Sequence, residues 1–203
     1  MNSEVIDLIK KAMARNVEFD EELAIRRAME VFWEKGYKGA SLRDLTEAMK
    51  INPSSLYNTI GDKHELFVRC VQLYTSHRRN YIERHASRSG SPLMKIKMFV
   101  DDAVTSITTG PHSCMAIKAA FELATDDERV QTILKEDSDA MYRLLCSLLT
   151  SAMEKGEIRT EDPELLTEYF ISTYIGWHES FILNRDAAKI HRMGQYFVKQ
   201  LSR

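Results

Sequence analysis

The chain has 203 residues, 28 Lys and Arg against 30 Asp and Glu for a formal charge of -2, and 44% hydrophobic residues. That composition excludes a disordered chain and leaves room for one large domain or two small ones sharing a core. Without a global basic field, any nucleic-acid binding has to rest on a local, geometrically placed site.

Cys70, Cys114 and Cys146 lie far apart and form no CxxC pair, so neither a zinc site nor a disulfide framework is expected, and no cofactor is implied. No apolar run approaches the length of a membrane span, and the N-terminus lacks the apolar core of a signal peptide. A cytoplasmic protein with no membrane partner is expected.

Residues 1–18 read as an N-terminal extension with an amphipathic fragment, VIDLIKKAMA, although a start at Met13 would serve as well. Asp20 caps the first clear helix, in which Leu23, Ala24, Ala28, Val31 and Phe32 recur at helical spacing and Gly36 supplies the stop.

The stretch Ser41 to Lys63, SLRDLTEAMKINPSSLYNTIGDK, then predicts two short helices and the start of a third. Ser41 and Asp44 make a capping-box-like start, with Leu42, Leu45 and Met49 as the buried face. Asn52 caps the second short helix, Pro53 takes its first position, and Leu56 and Ile60 face inward. Ser54, Ser55, Tyr57 and Asn58 are left as an outward row of small hydrogen-bonding groups, where a surface helix ordinarily carries Glu and Lys. Such a row suits groove edges and phosphates, as in a helix-turn-helix whose second helix enters the major groove. An ordinary αα-corner has the same spacing, so both readings stand at this point.

Asp62 and Glu65 open a long helix carrying Leu66, Phe67, Cys70, Val71, Tyr74, Tyr81 and Ile82, which runs to Ser89-Gly90-Ser91-Pro92. Leu93, Ile96, Phe99, Ala103 and Ile107 define the next, ended by Gly110-Pro111. HSCMAIKAAFELAT has apolar residues on more than one face, which predicts burial in the interior. Thr125 and Glu128 read as the capping box of a helix striped by Val130, Ile133, Leu134, Met141, Leu144, Leu145, Leu148 and Leu149, ended by Gly156. Asp162-Pro163 starts a helix whose EYFISTYIGWHESFIL is apolar on nearly every side, and a last helix carries Ile190, Met193, Phe197 and Leu201. No strand-like alternation of useful length appears, so the fold class expected is all-α.

From a first helix ending AMEVFWEKGY through GASLRDLTEAM to INPSSLYNTIGDKHELF, residues Phe19 to Phe67 resemble the N-terminal domain of the tetracycline-repressor (TetR) family of transcriptional regulators. Thr59 and Ile60 depart from it, standing where many relatives carry an aromatic pair. The resemblance implies a three-helix helix-turn-helix domain over residues 19–66 and a larger helical ligand-binding and dimerisation domain over 67–203. It also implies a homodimer, a small-molecule effector, and double-stranded operator DNA bound as a palindrome and released when the effector binds. Ser41, Arg43, Pro53, Ser54, Ser55, Tyr57, Asn58 and Lys63 are the matching candidates for DNA contacts.

A mostly apolar ligand cavity is implied between the C-terminal helices. Its candidate walls are Met98, Phe99, Cys114, Met115, Phe121, Met141, Tyr174 and Trp177, and its candidate polar groups His112, Tyr142, Thr173 and His178. Phe170, Tyr174, Phe181, Ile182, Met193 and Phe197 are the candidates for the dimer interface, since the apolar residues of their first helix spread too widely for a single core-facing stripe. Met and aromatic stripes at helical spacing also serve simply as core. The competing class is a helical small-molecule enzyme or carrier that keeps the corner only as structure. It lacks support from GxSxG, P-loop or GxGxxG motifs, and His64-Glu65 and His178-Glu179 both lack the second histidine of a zinc helix.

Overall fold

The computed structural model of the protein describes residues 20–110 and 114–201. The extension read at residues 1–18 lies outside them, as does His112. Among the described residues the fold is all-α, with nine helices: α1 (Glu21–Gly39), α2 (Leu42–Met49), α3 (Pro53–Thr59), α4 (Lys63–Ala86), α5 (Pro92–Thr109), α6 (Met115–Leu123), α7 (Glu128–Glu154), α8 (Pro163–Asn184) and α9 (Ala187–Leu201). No described helix is long and apolar enough to cross a membrane.

Local chemistry sets the ends of the first helices. The Asp20 carboxylate accepts the Leu23 N–H (3.0 Å), and Gly36, at φ 75° and ψ 172°, breaks the helical path inside α1. Ser41 and Asp44 form a reciprocal capping box for α2, and Lys50 ends that helix in the left-handed region. Asn52 accepts the Ser55 N–H (2.7 Å), with Pro53 at the first helical position of α3.

These helices close over Ala28, Phe32, Leu45, Met49, Leu56 and Ile60. Leu23 and Leu42, assigned to this core by spacing, are instead exposed, while Met29 and Thr46 take buried places. One residue is about 100° of helix, so Leu23 beside Ala24 sits at the edge of the stripe and turns to solvent.

The head's core is not closed within residues 19–66. Phe67, Cys70 and Val71 of α4, Met115 and Ala119 of α6 and Val130 of α7 belong to the same cluster, and α4 continues unbroken into a second core that includes Ile82. Polar contacts follow the same seam. Arg129 Nη1 donates to Glu65 (2.8 Å), His64 pairs with Asp127, and Lys118 Nζ donates to the carbonyls of Trp33 (2.8 Å) and Glu34 (3.0 Å).

Two expectations for this region fail. Asp127, not Thr125, caps α7, its carboxylate accepting the N–H groups of Arg129 (3.0 Å) and Val130 (3.1 Å). A carboxylate there satisfies two amides and His64 together, which a threonine two residues earlier cannot. Helix α6 buries Met115, Ala116 and Ala119, but Phe121 is 80% exposed, so it lies against α1, α4 and α7 rather than in the interior.

The second core gathers α5, α7, α8 and α9 around Phe99, Val100, Leu145, Leu149, Phe170, Trp177 and Phe197. Gly194 lets α9 approach α5 closely, since a Cβ there would lie 2.7 Å from Val104 Cγ2.

Candidate nucleic-acid interface and effector cavity

Helix α3 turns Leu56 and Ile60 inward and leaves Pro53, Ser54, Tyr57, Asn58 and Thr59 exposed, with Ser55 half-buried. No carboxylate interrupts that face. Two of the other candidates are tied to acids on α2. The Ser41 hydroxyl lies 2.7 Å from the Asp44 carboxylate, and Arg43 Nε donates to Glu47 at 2.7 Å while its side chain stays in solvent. Lys35 also donates to Asp44 (2.7 Å), and these bonds, that of Lys35 first, hold the Asp44 carboxyl well below the usual carboxylate range. Lys63, the first residue of α4, places its ammonium 4.7 Å from the centre of the Tyr37 ring. The surface therefore offers hydroxyls, a phenol and a carboxamide in one row, with cations at both sides.

A cavity of about 160 Å³ opens between α4, α5, α7 and α8, walled by Tyr74, Arg78, Tyr81, Phe99, Asp102, Ala103, Ser106, Met141 and Tyr174. Of the candidate ligand residues, Phe99, Met141 and Tyr174 line it. Cys114 is buried just behind the wall, its Sγ 3.3 Å from both Tyr74 Oη and Arg78 Nη1. His178 is buried and packs edge-on against Tyr174, with centroids 4.8 Å apart.

The remaining candidates stand elsewhere. Met115 packs into the head's core, Phe121 faces solvent, and Met98 and Tyr142 are half-buried away from the cavity. Thr173 and Trp177 line a different, larger groove between α8 and α9. Sequence reading missed Arg78, although Tyr74, Arg78 and Tyr81 fall at i, i+4 and i+7 on the buried stripe of α4, where a cation is conspicuous. Among the described residues no group of three or more His, Cys, Asp or Glu is placed to hold a metal ion.

Burial, and next the nearby positive charge of Arg78, push the His178 imidazole from its ordinary 6.5 down to about 4. A folded state that accommodates only the neutral ring loses stability as pH falls from 6.5 toward 4, where the unfolded chain takes up the proton and the folded one does not. At pH 5 the loss expected from this residue is about 2 kcal/mol. Urea midpoints at pH 7 and pH 5 check it: His178→Phe should be distinctly less acid-sensitive than the parent, and equal sensitivity would remove His178 as the cause.

The groove between α8 and α9 has a volume of about 570 Å³ and is walled chiefly by Leu166, Tyr169, Thr173, Trp177, Met193, Tyr196 and Phe197, with Arg159, Lys189 and Arg192 at its rim. On its wall Tyr169 (59%) and Tyr196 (63%) are exposed, and elsewhere on α8 so are Leu165 (68%) and Leu183 (72%). This face corrects the interface candidates. Phe170 is 1% exposed and Phe197 6%, both enclosed by their own subunit: the two rings pack at a tilt (centroids 4.8 Å apart), and Phe170 also meets Phe99 and Trp177 edge-on. Tyr174 turns into the cavity, whereas Ile182 is exposed and Met193 and Phe181 are half-buried. A Cβ on Gly176 would meet no atom within 4 Å.

Residues 24–70 match the family described as "Bacterial regulatory proteins, tetR family", and residues 92–197, more than half the chain, match "Tetracyclin repressor-like, C-terminal domain". The chain belongs to the TetR family. It is therefore a helix-turn-helix transcriptional regulator, and dimerisation and response to a small molecule are typical of TetR proteins. The HTH-type transcriptional regulator YezE of Bacillus subtilis is 30% identical over 155 residues, 75% of this chain and 80% of that protein. The HTH-type transcriptional repressor ComR of Escherichia coli is 28% identical over 169 residues, 78% of this chain and 77% of that one. The TetR family regulator CifR, solved as a cysteine mutant in complex with 26-bp double-strand operator DNA, superposes with a TM-score of 0.78 at 26% identity, covering 91% of this chain and 98% of that one.

Proposed function

We propose that this TetR protein is a homodimeric repressor that holds a palindromic operator through α2 and α3 of each protomer. It leaves the operator when a small, mostly apolar or aromatic molecule enters the cavity between α4, α5, α7 and α8. Residues 19–66 read the DNA, and residues 67–203 bind the effector and the second subunit. The protein works in the cytoplasm and is not an enzyme.

The observation that carries this reading is the outward row of α3, polar, free of acids and exposed beside a tightly packed inner face. Ser54, Ser55 and Asn58 approach base edges, while Tyr57, Lys63, Ser41, Arg43 and the start of α3 at Pro53 meet the backbone. The likeness to ComR, a repressor, and to CifR bound to operator DNA supports the same assignment. By reciprocal linkage, operator DNA weakens effector binding by the factor with which the effector weakens operator binding.

Selection of bound fragments from random double-stranded DNA tests the reading directly, an enriched inverted repeat being the expected product. On that repeat, Lys63→Ala should lower affinity for all sequences alike and flatten the salt dependence by about two units, one phosphate per protomer. Fluorescence anisotropy over a range of salt concentrations measures it. An unchanged slope would take Lys63 out of the phosphate contacts.

A further inference from the structure

The geometry points to a small monocarboxylate as the effector, its carboxylate taken by the outer fork of Arg78. This rests on the reading above that the cavity is the effector site and adds the chemical class of its occupant.

Arg78 stands on the wall of the cavity, yet its guanidinium is poorly served by the protein. Nε meets Asp137 at 3.3 Å, while Nη1 donates to the Cys114 thiol (3.3 Å) and Nη2 to the Met141 thioether (3.7 Å). Thiol and thioether sulfurs are weak acceptors, whereas the planar fork of a guanidinium matches two carboxylate oxygens. Asp137 is itself short of bonds, with Oδ1 buried and unpartnered. The one carboxylate on the cavity wall is already engaged, Asp102 accepting from Tyr81 Oη (2.9 Å) and Arg88 Nη1 (2.8 Å). An incoming anion therefore finds a cation with two displaceable partners and no unshared acid on the wall.

Size and shape limit the rest of the molecule. About 160 Å³ lies below the roughly 300 Å³ at which pockets for drug-sized ligands begin, and Phe99, Met141 and Tyr174 give the cavity flat or pliant apolar walls. An aromatic or short-chain acid fits, and a long amphiphile does not.

Taking Arg78 Nη1 away from Cys114 also has a mechanical effect. Cys114 is the N-cap residue of α6, and the far end of α6 holds the head through Glu122, which accepts the Tyr37 N–H at 2.6 Å. The carboxylate thus competes for the contact that fixes one end of the helix whose other end fixes α1.

The test is calorimetric titration of the full-length protein, free of DNA, with benzoate and phenylacetate against benzamide and phenylacetamide, followed by the same compounds on the operator complex in anisotropy. The acids are expected to bind at least tenfold tighter than the matched amides. Arg78→Lys, which keeps the charge and loses the fork, should bring that ratio close to one, and Cys114→Ala, which removes a competitor for Nη1, should tighten acid binding. Amides binding as well as acids, no acid binding at millimolar concentration, or an unaltered ratio in a folded Arg78→Lys protein each overturn the proposal. Acids that bind the free protein but leave the operator complex intact would uphold the ligand class and count against effector-released repression.

Discussion

Tyr169→Glu with Tyr196→Glu should convert the protein into a monomer at low micromolar concentration and lower its operator affinity by at least about 100-fold. Tyr169 and Tyr196 stand on neighbouring helices at the wall of one groove, and α8 leaves Leu165 and Leu183 in solvent as well. A single subunit leaves this as a broad apolar face, which soluble monomers rarely tolerate, and a two-fold partner presenting the same face would cover it. Two α3 helices brought about one turn of DNA apart, ~34 Å, then bind as a unit, which is how so little local charge suffices. Both tyrosines are more than half exposed, so glutamate at these sites should leave each subunit folded and its reading surface unaltered. Sedimentation velocity and anisotropy on the same samples decide. A variant that stays dimeric, or one that is monomeric with undiminished affinity, would sink the idea.

The second large effect is expected at Gly36. Its φ of 75° with ψ of 172° lies in a region that is essentially glycine's alone, at a cost of order 1–3 kcal/mol for other residues. A Cβ there would also collide with the Glu122 carboxylate, which accepts the neighbouring Tyr37 N–H. Gly36→Ala therefore meets backbone strain and loses a charge-assisted hydrogen bond together, about 2–5 kcal/mol in sum. Urea unfolding should show it as an earlier midpoint. Adding Glu122→Ala removes the collision but not the strain, so the double variant should regain part of the loss relative to one that keeps Glu122. A change of less than about 0.5 kcal/mol in Gly36→Ala, the range of an ordinary surface substitution, would show that the junction is not under the constraint described.

The parts of the molecule legible in the sequence are those decided within a few residues. The Ser41–Asp44 capping box, Asn52-Pro53, the stop at Gly36 and the order of the helices depend on neighbours three or four positions away. What escaped was decided across the fold. Phe170 looked available for a partner because the whole of α8 is apolar, but its ring is enclosed by Phe99, Trp177 and Phe197 from three helices. Phe121 was a cavity candidate as part of the Met and aromatic bulk of the C-terminal helices, yet only α1, α4 and α7 cover α6, and they leave that side open. Arg78 was not among the residues singled out. Its place on the apolar stripe of α4 was readable, but its partners Cys114, Asp137 and Met141 come from 36 to 63 residues further along the chain.

The head's dependence on α6 and α7 also has a consequence for its birth. A chain leaves the ribosome N-terminal end first at about 5–20 residues per second, so Val130 follows Leu45 out after roughly 4–17 s. During that interval α1 to α3 lack Met115, Ala119 and Val130, and the core they share with these residues is open. The nascent regulator is thus not ready to compete for DNA until most of its chain has been synthesised. For the same reason, a head transplanted between relatives has to travel with the α6 that closes it.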